Sequence, residues 1–256
     1  MLKLPASIAE AISGYKRQRN FTGMATWRVF RLEKANSDTL YLKIAVCADS
    51  ELHREKLRLE WLDGKLPVPK VKLFDSDGKR DYLLISEIEG FPSSHNCYKA
   101  EPEKVIQQLA DGLKMIRAVP TDDCPFDAAL DKKIEFARFR IEQNLIDETD
   151  FDDERQGRNL ADLFCEVLTT RPETEDLVFT HGDFCLPNII LKNNRLSGFI
   201  DWGRAGVTDR YQDIALLSRS VADNFGEQWQ PFLFKTLGVE PDLEKIKFYK
   251  LLDEFF

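Results

Sequence analysis

The stretch HGDFCLPN occupies residues 181–188, and IDWG follows it at residues 200–203. The apolar run LVFT at residues 177–180 predicts a buried strand that leads into the first stretch. Gly182 and Pro187 then predict a tight loop. The sequence therefore places polar side chains on a short loop directly after a buried strand.

A β-hairpin is predicted to join the two stretches. Residues 188–191 and 196–200 have the composition of strands, and the two asparagines at residues 193–194 predict the turn between them. This hairpin would carry Asp201 back beside Asn188, so that residues distant in sequence would meet at one end of it.

The residue types in the two stretches suit phosphoryl transfer. A kinase needs a carboxylate that orients and deprotonates the attacking hydroxyl, which Asp183 can supply. It also needs oxygen ligands for Mg²⁺, which Asn188 and Asp201 can supply. Each motif alone is a weak signal, because Asp and Asn are common in turns and His181 could be a core histidine. The two motifs together favour a kinase over turn chemistry alone.

Composition limits the class of partner. The chain has 256 residues, enough for one large domain or two lobes, and 44 acidic against 36 basic residues give a formal charge of −8. This balance disfavours nucleic acids and anionic membranes as partners and suits cationic ligands. Neither a secretory signal nor a membrane span is recognisable, so we expect a cytoplasmic protein. Five cysteines without a C-x-x-C pair predict free, buried thiols.

The N-terminal part of the chain predicts a β-rich unit with one helix. Residues 28–32 and 39–44 alternate as strands, and a helix is predicted over residues 50–65. The apolar face of this helix consists of four leucines, Leu52, Leu59, Leu62 and Leu66. Glu55 falls in the middle of that face, where a carboxylate needs a partner, and Lys43 on the preceding strand is the obvious candidate. Strands often end in an exposed lysine and helices are rich in glutamate, so the residues alone leave this pairing open.

The rest of the chain predicts two more strands and then a mainly helical region. The strands are residues 70–74 and 81–88 around a turn at residues 77–78, and a hinge follows at residues 86–90. Six segments show helical apolar spacing: residues 102–118, 127–145, 153–169, 209–224, 228–237 and 242–254. The predicted fold class is α+β, a protein-kinase-like two-lobed fold. Its small β-rich N-terminal lobe would span residues 1–88, and its larger, mainly helical C-terminal lobe would span residues 89–256.

Several features of other kinases are missing. There is no G-x-G-x-x-G loop, only GMAT at residues 23–26, and no G-x-x-x-x-G-K-[ST] motif. The short interval between Asp201 and the next predicted helix leaves no activation segment and no A-P-E motif. Protein substrates are therefore not expected.

At these residues the sequence resembles the aminoglycoside phosphotransferases, and within them the 3'-phosphotransferases, or kanamycin kinases. The resemblance runs from near the amino terminus to Phe256. Its most specific parts are residues 181–188, SGFIDWGR at 197–204, residues 209–216, and LLDEFF at 251–256. It implies ATP as the phosphoryl donor and Mg²⁺ as the cofactor, with Lys43 on the nucleotide phosphates and Glu55 holding that lysine.

The resemblance also implies roles that the residues alone leave undecided. Ser86 and Ile88 would bind the adenine edge through their backbone, and Tyr41 would stack on adenine, although an ordinary edge strand and a core tyrosine remain open alternatives. Asp213 would brace the catalytic loop through hydrogen bonds to its backbone. Arg204 would offset developing charge, orient the catalytic base, or simply pair with a neighbouring acid.

Two acidic clusters are candidates for binding a polycationic acceptor. The first contains Asp147, Glu148, Asp150, Asp152, Asp153 and Glu154. Composition alone favours a solvated surface loop there. The second comprises Asp253, Glu254 and the terminal carboxylate of Phe256, at the negative end of a helix, and Phe255 suggests that this end is docked. The resemblance implies that both clusters bind the amino groups of the antibiotic.

The leading hypothesis is ATP-dependent phosphorylation of the 3'-hydroxyl of aminoglycosides of the kanamycin and neomycin type, which confers antibiotic resistance. One alternative is a kinase of another small hydroxyl compound, such as choline, homoserine or a macrolide. The others are a metal-dependent phosphoesterase and a non-catalytic nucleotide-binding module. A non-catalytic module has no need of a base, so the joint presence of Lys43, Glu55, Asp183, Asn188 and Asp201 argues against it.

Overall fold

The computed structural model of the chain describes residues 4–20, 28–47 and 51–256. An antiparallel sheet with the strand order β1-β2-β3-β5-β4 dominates the N-terminal part. Its strands are β1 (Lys16–Asn20), β2 (Arg28–Glu33), β3 (Leu40–Val46), β4 (Val71–Ser76) and β5 (Arg80–Ser86). The turn between β4 and β5 contains Gly78, whose φ of 79° suits glycine. The strands predicted around residues 77–78 are thus confirmed.

The two faces of this sheet pack against different helices. Helix α1 (Ala6–Ala11) supplies Ile8 to a core that also holds Leu42 and Ile44 of β3. Successive side chains of a strand point to opposite faces, so Lys43 lies on the other face, where helix α2 (Glu51–Leu62) packs. The period of two in β3 therefore decides which helix Lys43 meets.

Helix α2 buries the face that its leucine spacing predicts. Leu52, Leu59, Leu62 and Leu66 are all at most 8% exposed, and Glu55 is buried among them at 1%. The described helix runs from Glu51 to Leu62. Gly64, with a φ of 80°, follows its end and turns the chain away.

The C-terminal part of the chain is mainly helical. Its helices are α3 (Pro102–Arg117), α4 (Leu130–Glu142), α5 (Leu160–Thr169), α6 (Tyr211–Phe225), α7 (Gln230–Leu237) and α8 (Leu243–Asp253). All six predicted helices are present, and α8 packs on α5 and α6. The largest shift from prediction is at α5, which was expected from residue 153 but begins at Leu160. The side chain of Asn159 accepts hydrogen bonds from the N–H groups of Ala161 and Asp162, so the helix starts after this cap.

Short strands interrupt the helices. They are β6 (Phe91–Pro92), β7 (Leu177–Thr180), β8 (Ile189–Lys192), β9 (Arg195–Phe199) and β10 (Gly206–Asp209). Strands β7 and β10 pair antiparallel, and β6, β8 and β9 form a three-stranded sheet in that order. Asn193 and Asn194 form the turn between β8 and β9 with φ of 53° and 59°, which confirms the predicted hairpin.

Contacts divide the chain into two units. The first contains the described residues up to Phe91 together with Ile190–Asn193 and Ser197–Arg204, and the second contains Pro92–Ile189, Asn194–Leu196 and Ala205–Phe256. The lobe boundary between residues 88 and 89 stays a prediction. No helix in the described part of the chain is long and apolar enough to cross a membrane.

Candidate active site

The loop after β7 brings Asp183 and Asn188 together. Gly182, with a φ of 84°, turns the chain out of the strand, and a short 3₁₀ turn over Leu186–Asn188 turns it back. The side-chain nitrogen Nδ2 of Asn188 donates to the carboxylate oxygen Oδ2 of Asp183 at 2.8 Å and to its backbone carbonyl at 3.0 Å. A carboxylate held in this way keeps one orientation on the loop.

A buried carboxylate on α6 braces the same loop. Asp213 is 1% exposed, and its two carboxylate oxygens accept the backbone N–H groups of His181 at 2.8 Å and of Gly182 at 2.9 Å. Burial raises the pKa of Asp213, and the charge of His181 and the two backbone hydrogen bonds oppose that rise. The predicted bracing role of Asp213 is confirmed.

His181 is a core residue rather than a reacting group. It is fully buried, its ring lies edge-on to Phe184, and its Nδ1 accepts the N–H of Asp183 at 3.3 Å. The histidine thus supports the backbone of the loop from inside.

In the first unit, Lys43 joins two carboxylates. Its Nζ lies 2.7 Å and 2.9 Å from the two carboxylate oxygens of Glu55, and it also contacts Oδ1 of Asp201. Burial lowers the pKa of Lys43, but the negative charges of Asp201 and Glu55 outweigh this effect, so the net pKa is raised and the lysine is a cation. The pairing with Glu55 that the sequence left open is present in the structure.

Asp201 has an unusual backbone conformation. Its φ of 64° lies in the left-handed region, which non-glycine residues rarely adopt and which asparagine and aspartate tolerate best. The next residue, Trp202, is fully buried, its indole N–H donates to the carbonyl of Phe199, and its backbone N–H donates to Glu55. The buried tryptophan thereby fixes the turn that aims the Asp201 carboxylate at Lys43.

The donor atoms on these two loops suit magnesium. Because Nδ2 of Asn188 is directed at Asp183, the remaining polar atom of its side chain is a carbonyl oxygen, and the Asp201 carboxylate is 42% exposed. Among the described residues no group of three or more His, Cys, Asp or Glu side chains could hold a metal. Mg²⁺ binds through one or two protein oxygens plus water and phosphate, so the oxygen on each loop, taken by itself, is of a type that suits it.

The three residues proposed to contact adenine lie on β3 and at the end of β5. Tyr41 is half-buried, and burial, followed by the charge of Glu87, raises its pKa. The N–H of Ser86 donates to the carbonyl of Lys70 at 3.0 Å, so this amide is already used by the sheet. A backbone hydrogen bond between Ser86 and adenine would therefore use the carbonyl of Ser86. The role of Ile88 stays a prediction.

The acidic loop is largely exposed. Asp147, Glu148, Asp150, Asp153 and Glu154 are exposed, and we call them the exposed acids. The hydroxyl and backbone N–H of Thr149 donate to Asp147 at 2.6 Å and 3.1 Å, and these bonds lower the pKa of Asp147. Burial and then the neighbouring Asp147 raise the pKa of Asp150. The loop thus carries a concentrated negative charge in contact with water.

The carboxyl terminus is docked, and two arginines that the sequence analysis missed pair with its acids. Phe255 is fully buried, and the ring of Phe256 lies 5.9 Å from that of Phe136. Oε1 of Glu254 lies 3.2 Å from Nη1 of Arg155, and Asp253 forms an ion pair with Arg219. Neither arginine belongs to a recognisable motif, so only their distance in space reveals the pairing.

Arg204 is half-buried in the turn after β9, and its role stays a prediction. The GMAT segment at residues 23–26 lies outside the described residues. All five cysteines are free, but none is buried, so the expectation of buried thiols was wrong. Cys185, which lies between Asp183 and Asn188 on the loop after β7, is half-exposed.

These features are those of a phosphotransferase of the kinase type. Lys43 is paired with Glu55 of a helix, Asp201 follows a hairpin, and Asp183 and Asn188 share a braced loop. The chain belongs to the phosphotransferase enzyme family, whose family model matches residues 18–249. It is 36% identical over 255 residues to an aminoglycoside 3'-phosphotransferase of Niallia circulans, covering 98% of this chain and 97% of that protein. The resemblance stated from the motifs is therefore confirmed.

Solved structures agree with this family. The crystal structure of an aminoglycoside 3'-phosphotransferase of type VIII superposes with a TM-score of 0.90 at 30% identity, covering 98% of this chain and 97% of that one. An aminoglycoside phosphotransferase of Streptomyces rimosus, APH(3'')-Id, in complex with ADP and streptomycin, superposes with a TM-score of 0.82 at 24% identity. It covers 97% of this chain and 95% of that one. The predicted protein-kinase-like fold is thereby confirmed.

Proposed function

We propose that the protein transfers the γ-phosphoryl group of ATP to the 3'-hydroxyl of aminoglycosides of the kanamycin and neomycin type, and so confers resistance to them. The observation that carries this proposal is the Asp183–Asn188 pair on a loop braced by Asp213. The full-length similarity to aminoglycoside 3'-phosphotransferases supports the choice of acceptor.

Asp183 is the catalytic base. The acceptor oxygen attacks the γ-phosphorus, the bond from that phosphorus to the bridging oxygen of ADP breaks, and the hydroxyl proton passes to the Asp183 carboxylate. The hydrogen bond from Asn188 holds this carboxylate in one rotamer, so the base meets the hydroxyl without reorganisation.

The nucleotide and magnesium sites use the remaining motif residues. Lys43, held by Glu55, would bind the phosphates, and Asn188 and Asp201 would hold Mg²⁺. Bound Mg²⁺ neutralises charge on the phosphates. We assign the adenine contacts to Tyr41 and to the backbone of Ser86 and Ile88.

The acceptor site is acidic. An aminoglycoside carries several ammonium groups, and the exposed acids together with Asp253, Glu254 and the Phe256 carboxylate supply the opposite charge. Arg204 is proposed to act beside the reacting groups. We place the protein in the cytoplasm, with neither nucleic acid, membrane nor protein as substrate, in keeping with its formal charge of −8.

The test is an acceptor panel followed by ADP release, run with ATP and with GTP. Kanamycin should be phosphorylated, and its 3'-deoxy analogue, which differs only in the target hydroxyl, should not be. Choline, homoserine and a macrolide complete the panel, and turnover of one of these without any aminoglycoside would replace the proposed acceptor. ATP-independent hydrolysis of a phosphoester would point to a phosphoesterase instead.

The variant Asp183→Asn isolates the base. We expect kcat to fall by about 10²–10⁴-fold while ATP still binds, because the amide cannot accept the proton. Unchanged turnover in this variant would remove Asp183 from its role.

A further inference from the structure

A network of five charged side chains links the acidic loop to the carboxyl terminus. Its members are Arg155, Arg219, Asp152, Asp253 and Glu254, and we call it the arginine network. Asp152 is the shared partner, since its Oδ2 lies 3.1 Å from Nη1 of Arg155 and 2.9 Å from Nη1 of Arg219. Arg155 also forms an ion pair with Glu254 at 3.2 Å, and Arg219 forms one with Asp253. Two arginines therefore join the loop to the end of α8.

Three of the five side chains in the network are shielded from water, whereas Arg219 and Asp152 are 22% and 29% exposed. The side chains of Arg155 and Glu254 are only 6% and 3% exposed, and that of Asp253 is 10% exposed. The backbone N–H of Asp152 also donates to Oε2 of Glu254 at 3.2 Å. Buried, charge-assisted hydrogen bonds fix geometry far better than exposed ion pairs do.

The exposed acids lie on both sides of this anchor. Asp150 precedes Asp152 by two residues, and Asp153 and Glu154 follow it directly. The loop around them has only one short 3₁₀ turn, Glu148–Asp150, before α5 begins at Leu160. Regular secondary structure therefore does not set the positions of these carboxylates. The anchor at Asp152 is one of the contacts that hold the loop, beside the hydrogen bonds from Nε2 of Gln156 to the carbonyls of Thr149 and Phe151 at 3.2 Å and 2.6 Å.

Resting on the proposed function, we propose that Arg155 and Arg219 are positioning residues of the acceptor site, which hold the exposed acids in place for the ammonium groups of the aminoglycoside. The carboxylates of Asp152, Asp253 and Glu254 already bind guanidinium groups. We therefore assign the direct contacts with the ammonium groups to the exposed acids, while Asp253 and Glu254 contribute negative charge from within the arginine network. Arg155 also lies 3.9 Å from Glu154, so the network touches the exposed acids directly.

The direction in which the acceptor KM changes when an arginine is replaced distinguishes a positioning role from simple electrostatics. Replacing an arginine by glutamine removes a positive charge near a site for cations, and by Coulomb's law alone this should strengthen acceptor binding. Loss of positioning should weaken it. The acceptor KM of Arg155→Gln and Arg219→Gln thus rises if the arginines position the loop and falls if they merely oppose the ligand's charge.

The experiment measures KM for kanamycin and for ATP, together with kcat, in both variants and in a matched control. Arg158→Gln is that control, because Arg158 lies on the same segment and pairs at 2.7 Å with Glu166, outside the arginine network. We expect the kanamycin KM to rise by roughly tenfold or more in the two test variants, with the ATP KM unchanged. Arg219→Lys, which keeps the charge, should recover part of the loss.

Two kinds of result would overturn the proposal. One is a kanamycin KM that stays equal or falls in a folded Arg155→Gln or Arg219→Gln protein. The other is a parallel rise of the kanamycin and ATP KM values, which indicates general damage. Thermal melting identifies a variant that does not fold. Arg155→Lys then replaces it: this variant keeps the positive charge but loses the planar guanidinium, so a kanamycin KM above that of the wild type supports positioning and an unchanged KM counts against it. A wild-type protein that phosphorylates no aminoglycoside would reject the proposed function as well, whereas an active wild type with unaltered variants would reject the positioning role alone.

Discussion

Replacement of Asp213 by asparagine tests whether one buried carboxylate holds the catalytic loop. Asp213 accepts two backbone N–H groups at 2.8 Å and 2.9 Å, from His181 and Gly182. An asparagine side chain has a single acceptor oxygen, so one N–H would face the NH₂ group and lose its partner. An unsatisfied buried donor costs about 1–3 kcal/mol, and the loss of charge from the other bond adds to this.

The total cost of Asp213→Asn should therefore be about 2–4 kcal/mol in the free energy of unfolding. For a chain of this size each kcal/mol lowers Tm by about 2–4 °C, so we expect a fall of roughly 4–16 °C. Because Asp183 follows Gly182 directly, a shift of the loop by about 1 Å should also lower kcat by about 10²-fold.

Thermal melting and ADP release measure these two effects. Asp162→Asn is a suitable control, because it makes the same chemical change at an exposed position in the first turn of α5. A Tm within about 1 °C of the wild type, with kcat intact, would show that the two hydrogen bonds do not hold the loop.

Three further outcomes follow from the same contacts. Lys43→Met leaves the buried Glu55 without its cation. In urea melting, the free energy of unfolding should fall by about 3–5 kcal/mol, and in kinetic assays the ATP KM should rise. Phe255→Ala should cost about 3–5 kcal/mol by the same melting assay, because the ring is fully buried; a cost below about 1 kcal/mol would mean that the carboxyl terminus is not docked. Burial, and then the charge of Asp152, raise the pKa of Glu254 from 4.5 to about 7 in the folded protein. Between these two pH values the folded state therefore holds a proton that the unfolded state has lost. Tm should decline as the pH rises from about 4.5 to 7. Glu254→Gln should weaken this decline, and an identical pH profile would refute the assignment.

The sequence predicted much of the fold because the relevant patterns are local. The alternation in β3 and the leucine spacing of α2 put Lys43 and Glu55 on facing surfaces, and the structure pairs them at 2.7 Å. The two asparagines at residues 193–194 predicted the hairpin turn, because asparagine tolerates a positive φ. Each of these inferences needs only the geometry of one strand, one helix or one turn.

The sequence by itself determined most of the strands and helices, the sequence motifs and the family resemblance, since these depend on residue types within a few positions of each other. It did not predict helix α1 or the strands β1, β6 and β10. Only the tertiary structure decided that Arg155 and Arg219 pair with acids at the carboxyl terminus, that the backbone of Asp201 is left-handed, and that Asn159 delays the start of α5. An arginine is equally compatible with solvent and with a distant carboxylate, and periodicity carries no information on which partner folding brings near. The choice is made when the loop and α8 pack and exclude water from their charges.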